Sequence, residues 1–183
     1  MSQVANRSTA GSAVAALQSL KQGLQNVSAA MPARNTDPFL KMQTDGVWAY
    51  GAENIEVQDG SLWAINPMSI RHGYTCWTNY TKEELRTKKS NEKLGEIMVA
   101  ASQPKPNKAE LPDYGYEWKD QVSFTLVCLN GDDKGVQVLY NTSSMGGLNA
   151  CGAVVTALMN QIDKDDKNFV PAVALANEYY MHK

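Results

Sequence analysis

A chain of 183 residues is long enough for one domain with a sizeable core, or a domain and an appendage, so it needs no metal or disulfide to hold it together. Its 17 basic and 19 acidic side chains give a net charge of -2, which excludes the strongly basic class that coats nucleic acid indiscriminately and confines any polyanion site to a local patch. Cys76, Cys128 and Cys151 are odd in number, widely spaced and set among apolar neighbours, as buried free thiols of a reducing compartment are.

Residues 1–12 are small and polar, after which Val14, Leu17, Leu20, Leu24 and Val27 recur at three- and four-residue intervals. This is the stripe of a short amphipathic helix over 13–29. Gln18, Lys21 and Gln25 interrupt it, so it lacks the continuous apolar stretch of a signal peptide. No segment reaches the roughly 20 apolar residues of a membrane span. The expectation is a soluble protein of the cytoplasm with no membrane partner. Pro32 and Pro38 end the helical pattern in a linker that runs to residue 38. A lone helix of this length is marginal in water, so it should pack on the domain or on a second copy of the chain, and the sequence favours neither.

From Phe39 to Tyr140 the chain reads as β, in the runs GVWAYG, SLWAIN, YTCWTN, EIMVAA, QVSFTLVCL and GVQVLYNT, with Gly, Asn, Asp and Pro between them. Short β-branched and aromatic runs at this spacing point to a barrel or sandwich rather than a βαβ sheet. Val122–Leu129 and Val136–Tyr140, joined by NGDDKG, predict a hairpin in which Asn130-Gly131 supply residues that accept positive φ. Two connections exceed ordinary hairpin loops, residues 79–94 and the Pro-interrupted excursion 102–120. Long loops in compact domains are often functional, which makes both candidate binding rims.

Leu148, Cys151, Val154, Val155, Leu158, Met159 and Ile162 then predict a helix over 147–163, capped by Ser144 or Asn149. Beyond it, Val173 and Leu175 suit a returning strand, and the stop after Tyr179 and Tyr180 fits a missing final strand or tail. The fold class is α+β, mainly β with one or two helices, and the architecture over 39–183 an OB-like β-barrel. That fold binds single strands across one face; a split barrel or a sandwich would give much the same pattern.

Enzymatic signatures are sparse. His72 and His182 are too few for a multi-histidine metal site, and no cysteines stand in CxxC spacing. Cys76 follows His72 by four residues, one face of a strand, but no third residue is seen to orient such a pair. SSMGGLNACG lacks the lysine and spacing of a phosphate loop, and DKDDKN lacks the glycine and terminal Glu of a calcium loop. Asp113, Glu117, Asp120, Asp132 and Asp133 could serve metal-assisted nuclease chemistry, although nothing in the sequence fixes two of them around a metal. The reading is of a non-enzyme with no cofactor and no metal.

Aromatic and basic residues make the stronger case. Trp48, Tyr50, Trp63, Tyr74, Trp77 and Tyr80 occupy or border predicted strands, and window 82–108 holds seven positive side chains against four negative, a net +3 in an acidic chain. Single-strand binders stack bases on aromatic faces and follow phosphates with lysine or arginine. On strand alternation, Trp77 faces one side of YTCWTNY and Tyr74 and Tyr80 the other. The competing reading makes many of these rings core, since Trp and Tyr favour any sheet, and makes TKEELRTKK a solvated loop.

The run GSLWAINPMSIRHGYTCW and the later FVPAVALANEYYMHK resemble a family of small proteins encoded by tailed bacteriophages. The likeness runs from about Phe39 to Lys183 and rests on Asp-Gly-x-Trp-x-Tyr-Gly-Ala at Asp45 to Ala52, the Gly-Ser-Leu-Trp-Ala strand, the His-Gly-Tyr turn and a terminal Tyr-x-His-Lys. Such a resemblance implies a phage DNA-metabolism or host-takeover setting. A further link, to phage single-stranded DNA-binding proteins of OB-fold type, meets a departure: those often end in an acidic tail, this chain in YYMHK. No DNA-contacting residue is transferred from them.

The expectation is a cytoplasmic, phage-encoded protein that binds single-stranded DNA without strong sequence preference in replication or recombination. Trp63, Tyr74, Trp77 and Tyr80 would stack bases, while Arg71, Lys82, Arg86, Lys88, Lys89 and Lys93 guide phosphates. Replication or host proteins and a second copy of the chain are further partners left open. The principal alternative is a module that binds and redirects a host enzyme, with the aromatic patch as its interface core; a metal-dependent nuclease stands third.

Overall fold

The β-branched and aromatic runs form strands because their side chains fill a pleated, half-buried surface. A computed structural model of the chain describes residues 37–87, 90–165 and 167–177. The helix expected over 13–29 lies outside these. Nine strands form one sheet: β1 (Phe39–Met42), β2 (Trp48–Tyr50), β3 (Ile55–Glu56), β4 (Leu62–Ile65), β5 (Arg71–Trp77), β6 (Lys93–Ala100), β7 (Trp118–Cys128), β8 (Gln137–Thr142) and β9 (Ala172–Ala174). Among the described residues two helices accompany it, α1 (Lys82–Thr87) and α2 (Met145–Lys164). This is an α+β fold, a curled half-barrel of OB-like architecture.

The main path of the sheet runs β3-β2-β1-β8-β7-β4-β9, and β5 leaves it at β7 to carry β6. Pairing is antiparallel except between β1 and β8, where Phe39 and Leu40 lie in parallel register with Leu139 and Tyr140. Curling brings the far ends of the path together. Trp48 Nε1 on β2 donates to the Ala176 carbonyl just past β9 at 3.0 Å, and Asn177 Nδ2 donates to the Gly46 carbonyl at 2.8 Å.

β7 organises the rest. Its whole length is needed because β5 takes Trp118 to Ser123 on one edge and β4 takes Leu126 to Cys128 on the same edge, while β8 runs along the other. Between β4 and β5 a 3-10 turn, Pro67–Ser69, is capped by Asn66. The Asn66 N–H donates to the Thr125 carbonyl at 3.0 Å, and the Thr125 N–H donates to Ser69 Oγ at 2.9 Å. The gap between two partner strands therefore leaves neither backbone group of Thr125 unbonded, as a buried ladder requires.

Alternation along β7 builds two cores on one face. Phe124, Leu126 and Cys128 join Leu40, Tyr50, Trp63, Ile65 and Val138, and α2 covers them with Cys151 and Leu158. Each large apolar side chain sealed there contributes about 1.5–3 kcal/mol. The helix starts where Ser144 Oγ accepts from the Gly147 N–H at 3.1 Å, so the glycine-rich run is a cap and not an anion loop. Tyr74, Cys76 and Trp118 form the second, smaller core, roofed by the expected excursion before β7. All three cysteines are free and buried, and burial pushes the Cys151 thiol up to about 11.

The hairpin between β7 and β8 has a longer loop than two residues, with Gly131 at φ 72 and Gly135 at φ 88. Its buried Asp133 reaches back to accept from Tyr50 OH at 2.8 Å and from the Gln58 N–H at 3.3 Å. Burial first, and then the bond to this carboxylate, pushes the Tyr50 hydroxyl up to about 12. Asp133→Ala strands that hydroxyl in the core, and we expect a loss of ~1–3 kcal/mol in urea unfolding; an unchanged midpoint would remove the bond from the account of stability. Because the folded tyrosine holds its proton longer than the unfolded one, Tyr50 stabilises fully below its ordinary value of 10.0 and progressively less as pH rises to about 12. An ultraviolet titration of phenolate formation in the folded protein should show one tyrosine ionising last, and Tyr50→Phe should abolish that step.

Candidate nucleic-acid interface

The expected site residues separate by burial. Trp63 is 0% exposed and its Nε1 donates to Ser61 Oγ at 2.9 Å, so no ring face is left for a base. Here the expectation is corrected: β4 is flanked by β7 and β9, and its Trp63 face is the one that α2 covers. Tyr74 is corrected for a related reason. It is buried in the second core, with Lys105 Nζ 4.4 Å and Lys108 Nζ 6.0 Å from its ring centroid. Trp48 and Trp118 also serve structure, the latter 7% exposed with its Nε1 bonded to the Pro112 carbonyl at 2.8 Å.

Trp77 is the most exposed of the four tryptophans, at 43%. It ends β5 beside a register irregularity: Cys76 pairs with Gly95 but Trp77 with Lys93, leaving Leu94 as the extra residue on β6. Such a bulge twists the pair and re-aims side chains. It sets Lys93 Nζ 5.9 Å from the Trp77 ring centroid. Tyr80 is partly exposed beyond the strand end, where its N–H donates to Asn91 Oδ1 at 2.9 Å.

Trp77 opens onto a cleft of about 540 Å³ lined also by Thr78, Asn79, Asn91, Tyr116, Glu117, Lys119 and Ser143. Both long connections contribute to it, one through Asn79 and Asn91 and the other through Tyr116 and Glu117. The sequence reading passed over Tyr116 and Lys119, although the Tyr-Gly-Tyr triplet at 114–116 within an excursion already taken as a rim was an available signal. Tyr116 is held from below: its carbonyl accepts from Cys76 Sγ at 3.5 Å. On the small-core face behind it, Gly95 leaves room for the Trp118 ring, since a Cβ there would stand 2.6 Å from it.

The remaining expected residues lie nearby or apart. Lys82 and Arg86 are exposed on α1, which Thr81 and Glu84 start as a reciprocal capping box, the Thr81 N–H donating to Glu84 Oε2 at 2.8 Å and the Glu84 N–H to Thr81 Oγ1 at 3.3 Å. Arg86 meets Glu83 at 3.7 Å with both side chains in solvent, a contact of little energetic consequence. Arg71, at the other end of β5, donates to the Met98 carbonyl at 2.6 Å. Lys88 and Lys89 lie outside the described residues. The His72 ring bonds the Gln103 carbonyl at 2.9 Å and Cys76 the Tyr116 carbonyl, so each has a partner of its own. Of the acids, Asp120 pairs with Lys105 and Asp133 with Tyr50. Among the described residues no three His, Cys, Asp or Glu side chains converge on one point, and no helix is long and apolar enough to cross a membrane.

No known protein family, curated protein or solved structure matches the chain. The site therefore rests on its own geometry.

A polar bridge stiffens the sheet beside Trp77. Glu96 Oε1 accepts from Lys93 Nζ at 2.6 Å and from Gln121 Nε2 at 2.6 Å, reaching across β5 where Gly73, the partner of both Met98 and Gln121, contributes no side chain. A Cβ on Gly73 would collide with the Ile97 carbonyl. Burial alone would raise the Glu96 carboxyl, but the hydrogen bonds from Lys93, Gln121 and Asn141 together outweigh it and hold the group below its ordinary 4.5. The sign follows: this stabilisation is present above the ordinary value and is lost as pH falls through the lowered one. Unfolding midpoints measured from neutral pH into acid should fall more steeply for the native chain than for Glu96→Gln; parallel curves would show that the bridge does not report protonation.

Proposed function

We propose that this protein binds single-stranded DNA, largely without sequence preference, through the Trp77 cleft. The observation that carries the reading is the meeting of two partly exposed rings, Trp77 and Tyr116, with Lys119 in one cleft, and Lys93 beside it. Rings accept a base of any sequence face-on, and ammonium groups follow the phosphates. Lys82 and Arg86 on α1 extend the positive side chains along the neighbouring connection, and Tyr80 lies on the same rim. A role in phage DNA replication or recombination in the host cytoplasm belongs to this proposal.

The protein-binding alternative draws on another surface. Met145, Met159 and Ile162 on α2 are 75%, 54% and 42% exposed, and apolar exposure of this kind suits a protein contact.

Titration with a poly-dT oligonucleotide, followed by tryptophan fluorescence, decides between them. Trp63 and Trp118 are sealed, so quenching should come chiefly from Trp77, weaken with added salt through counterion release, and exceed that by duplex DNA of equal length. Trp77→Ala should weaken binding by about 1–3 kcal/mol, whereas a conservative change at Trp63 should act on stability instead. Absence of both quenching and retention at low salt would overturn the DNA reading and turn attention to α2.

A further inference from the structure

We infer that the Trp77 cleft contains a slot that prefers guanine over the other bases, an inference that rests on the single-strand reading and sharpens it at one position. Its volume, about 540 Å³, falls in the range of roughly 300–1,000 Å³ for small-ligand sites. Two rings would account for stacking alone. The polar lining adds a pattern that stacking does not need.

Glu117 presents a carboxylate on the rim, an acceptor with two oxygens and no donor. Its contact with Lys108 Nζ is 3.8 Å long and its side chain 75% exposed, beyond hydrogen-bonding distance, so its oxygens remain open to a ligand. Opposite in character are Lys119 and Asn91. Lys119 lines the cleft and has no ion-pair partner among the described residues. Asn91 has its Oδ1 committed to the Tyr80 N–H at 2.9 Å, which fixes the amide so that its Nδ2 is the group left to donate.

An acceptor pair beside donors is complementary to one base edge. Guanine sets two donors side by side, N1–H and the N2 amino group, next to the O6 acceptor. Thymine flanks its single N–H with two carbonyl oxygens, which a carboxylate repels, and adenine and cytosine each place an amino group next to a ring acceptor. Bases in single strands are read on this edge once unstacked. Guanine would meet Glu117 with its two donors and Lys119 or Asn91 with O6.

The test uses the full chain and dT 15-mers carrying one central dG, dT, dA, dC or deoxyinosine, together with free dGMP and dTMP. One good bidentate base contact discriminates by about 1–3 kcal/mol, and an exposed rim belongs at the lower end, so the dG strand should bind roughly five- to tenfold more tightly than the dT strand. Deoxyinosine, which lacks the N2 amino group, should lose most of that gain. Glu117→Gln should bring the dG and dT strands within about twofold of each other, while Lys108→Ala, which removes the ion pair but keeps the carboxylate, should retain the preference. Salt-sensitive binding with equal affinity for every strand would overturn the guanine slot and leave strand binding intact. Saturable quenching by dGMP but not dTMP, with no added affinity for strands, would support the slot, identify the free nucleotide as its source and overturn strand binding. No response to any of these would overturn both.

Discussion

One edge of β7 serves two strands, and the rest of the molecule follows from that constraint. β5 takes the first half of the edge and β4 the second, so the chain must leave the sheet between them and re-enter it with Thr125 and Phe124 of β7 passed over in the ladder. Asn66 and Ser69 make this tolerable by bonding both backbone groups of Thr125. With the junction satisfied, the strand carries a large core under α2 and a small one under the excursion before β7. Register is correspondingly strict. A slip of one residue would turn Gln121 and Ser123 inward and Phe124 and Leu126 outward.

The cleft lies where this arrangement runs out. At the end of β5 the ladder with β6 loses a residue in register, and the two long connections come together. Trp63 and Trp77 show how much position outweighs residue type. Both are strand tryptophans in aromatic runs, but one is flanked on both edges and covered by a helix, while the other ends its strand at a bulge. The polar bridge of Lys93, Glu96 and Gln121 gives the exposed ring a firm base at little cost, since each member has a partner. Support of this kind is what a pre-formed binding surface needs, because a side chain already held loses less freedom when a ligand arrives.

Much of the architecture was legible. GVWAYG, SLWAIN and GVQVLYNT each hold an observed strand, QVSFTLVCL most of another, and the helix expected over 147–163 matches α2 to within two residues at either end. The turn at Asn130-Gly131 was readable from its need for positive φ. β3, two residues long, carries no period to detect, and β1 was hidden because only Leu40 of its four residues is buried. α1 could have been found from the capping pair Thr81 and Glu84 within a connection read as a loop. Exposure was the harder matter. Alternation tells which side chains share a face but not which face is covered, so Tyr74 could not be separated from Trp77 by availability. Tyr116 was signalled only by the Tyr-Gly-Tyr triplet, because what holds it, the contact of its carbonyl with Cys76, joins residues 40 positions apart in the sequence.

The three cysteines sit beneath three different covers. Cys76 lies under the excursion before β7, Cys128 at the β7–β8 hairpin and Cys151 under α2, and each is almost wholly withdrawn from water. A thiol-specific reagent must wait for the cover above it to lift before reacting, so its rate at each sulfur counts local openings. The native side chains thus form a set of built-in clocks, one for each region of the fold, with no label to introduce and no residue to replace. The Cys76 clock is the informative one for binding, because the cover it times is the same stretch of chain that holds Tyr116 at the cleft.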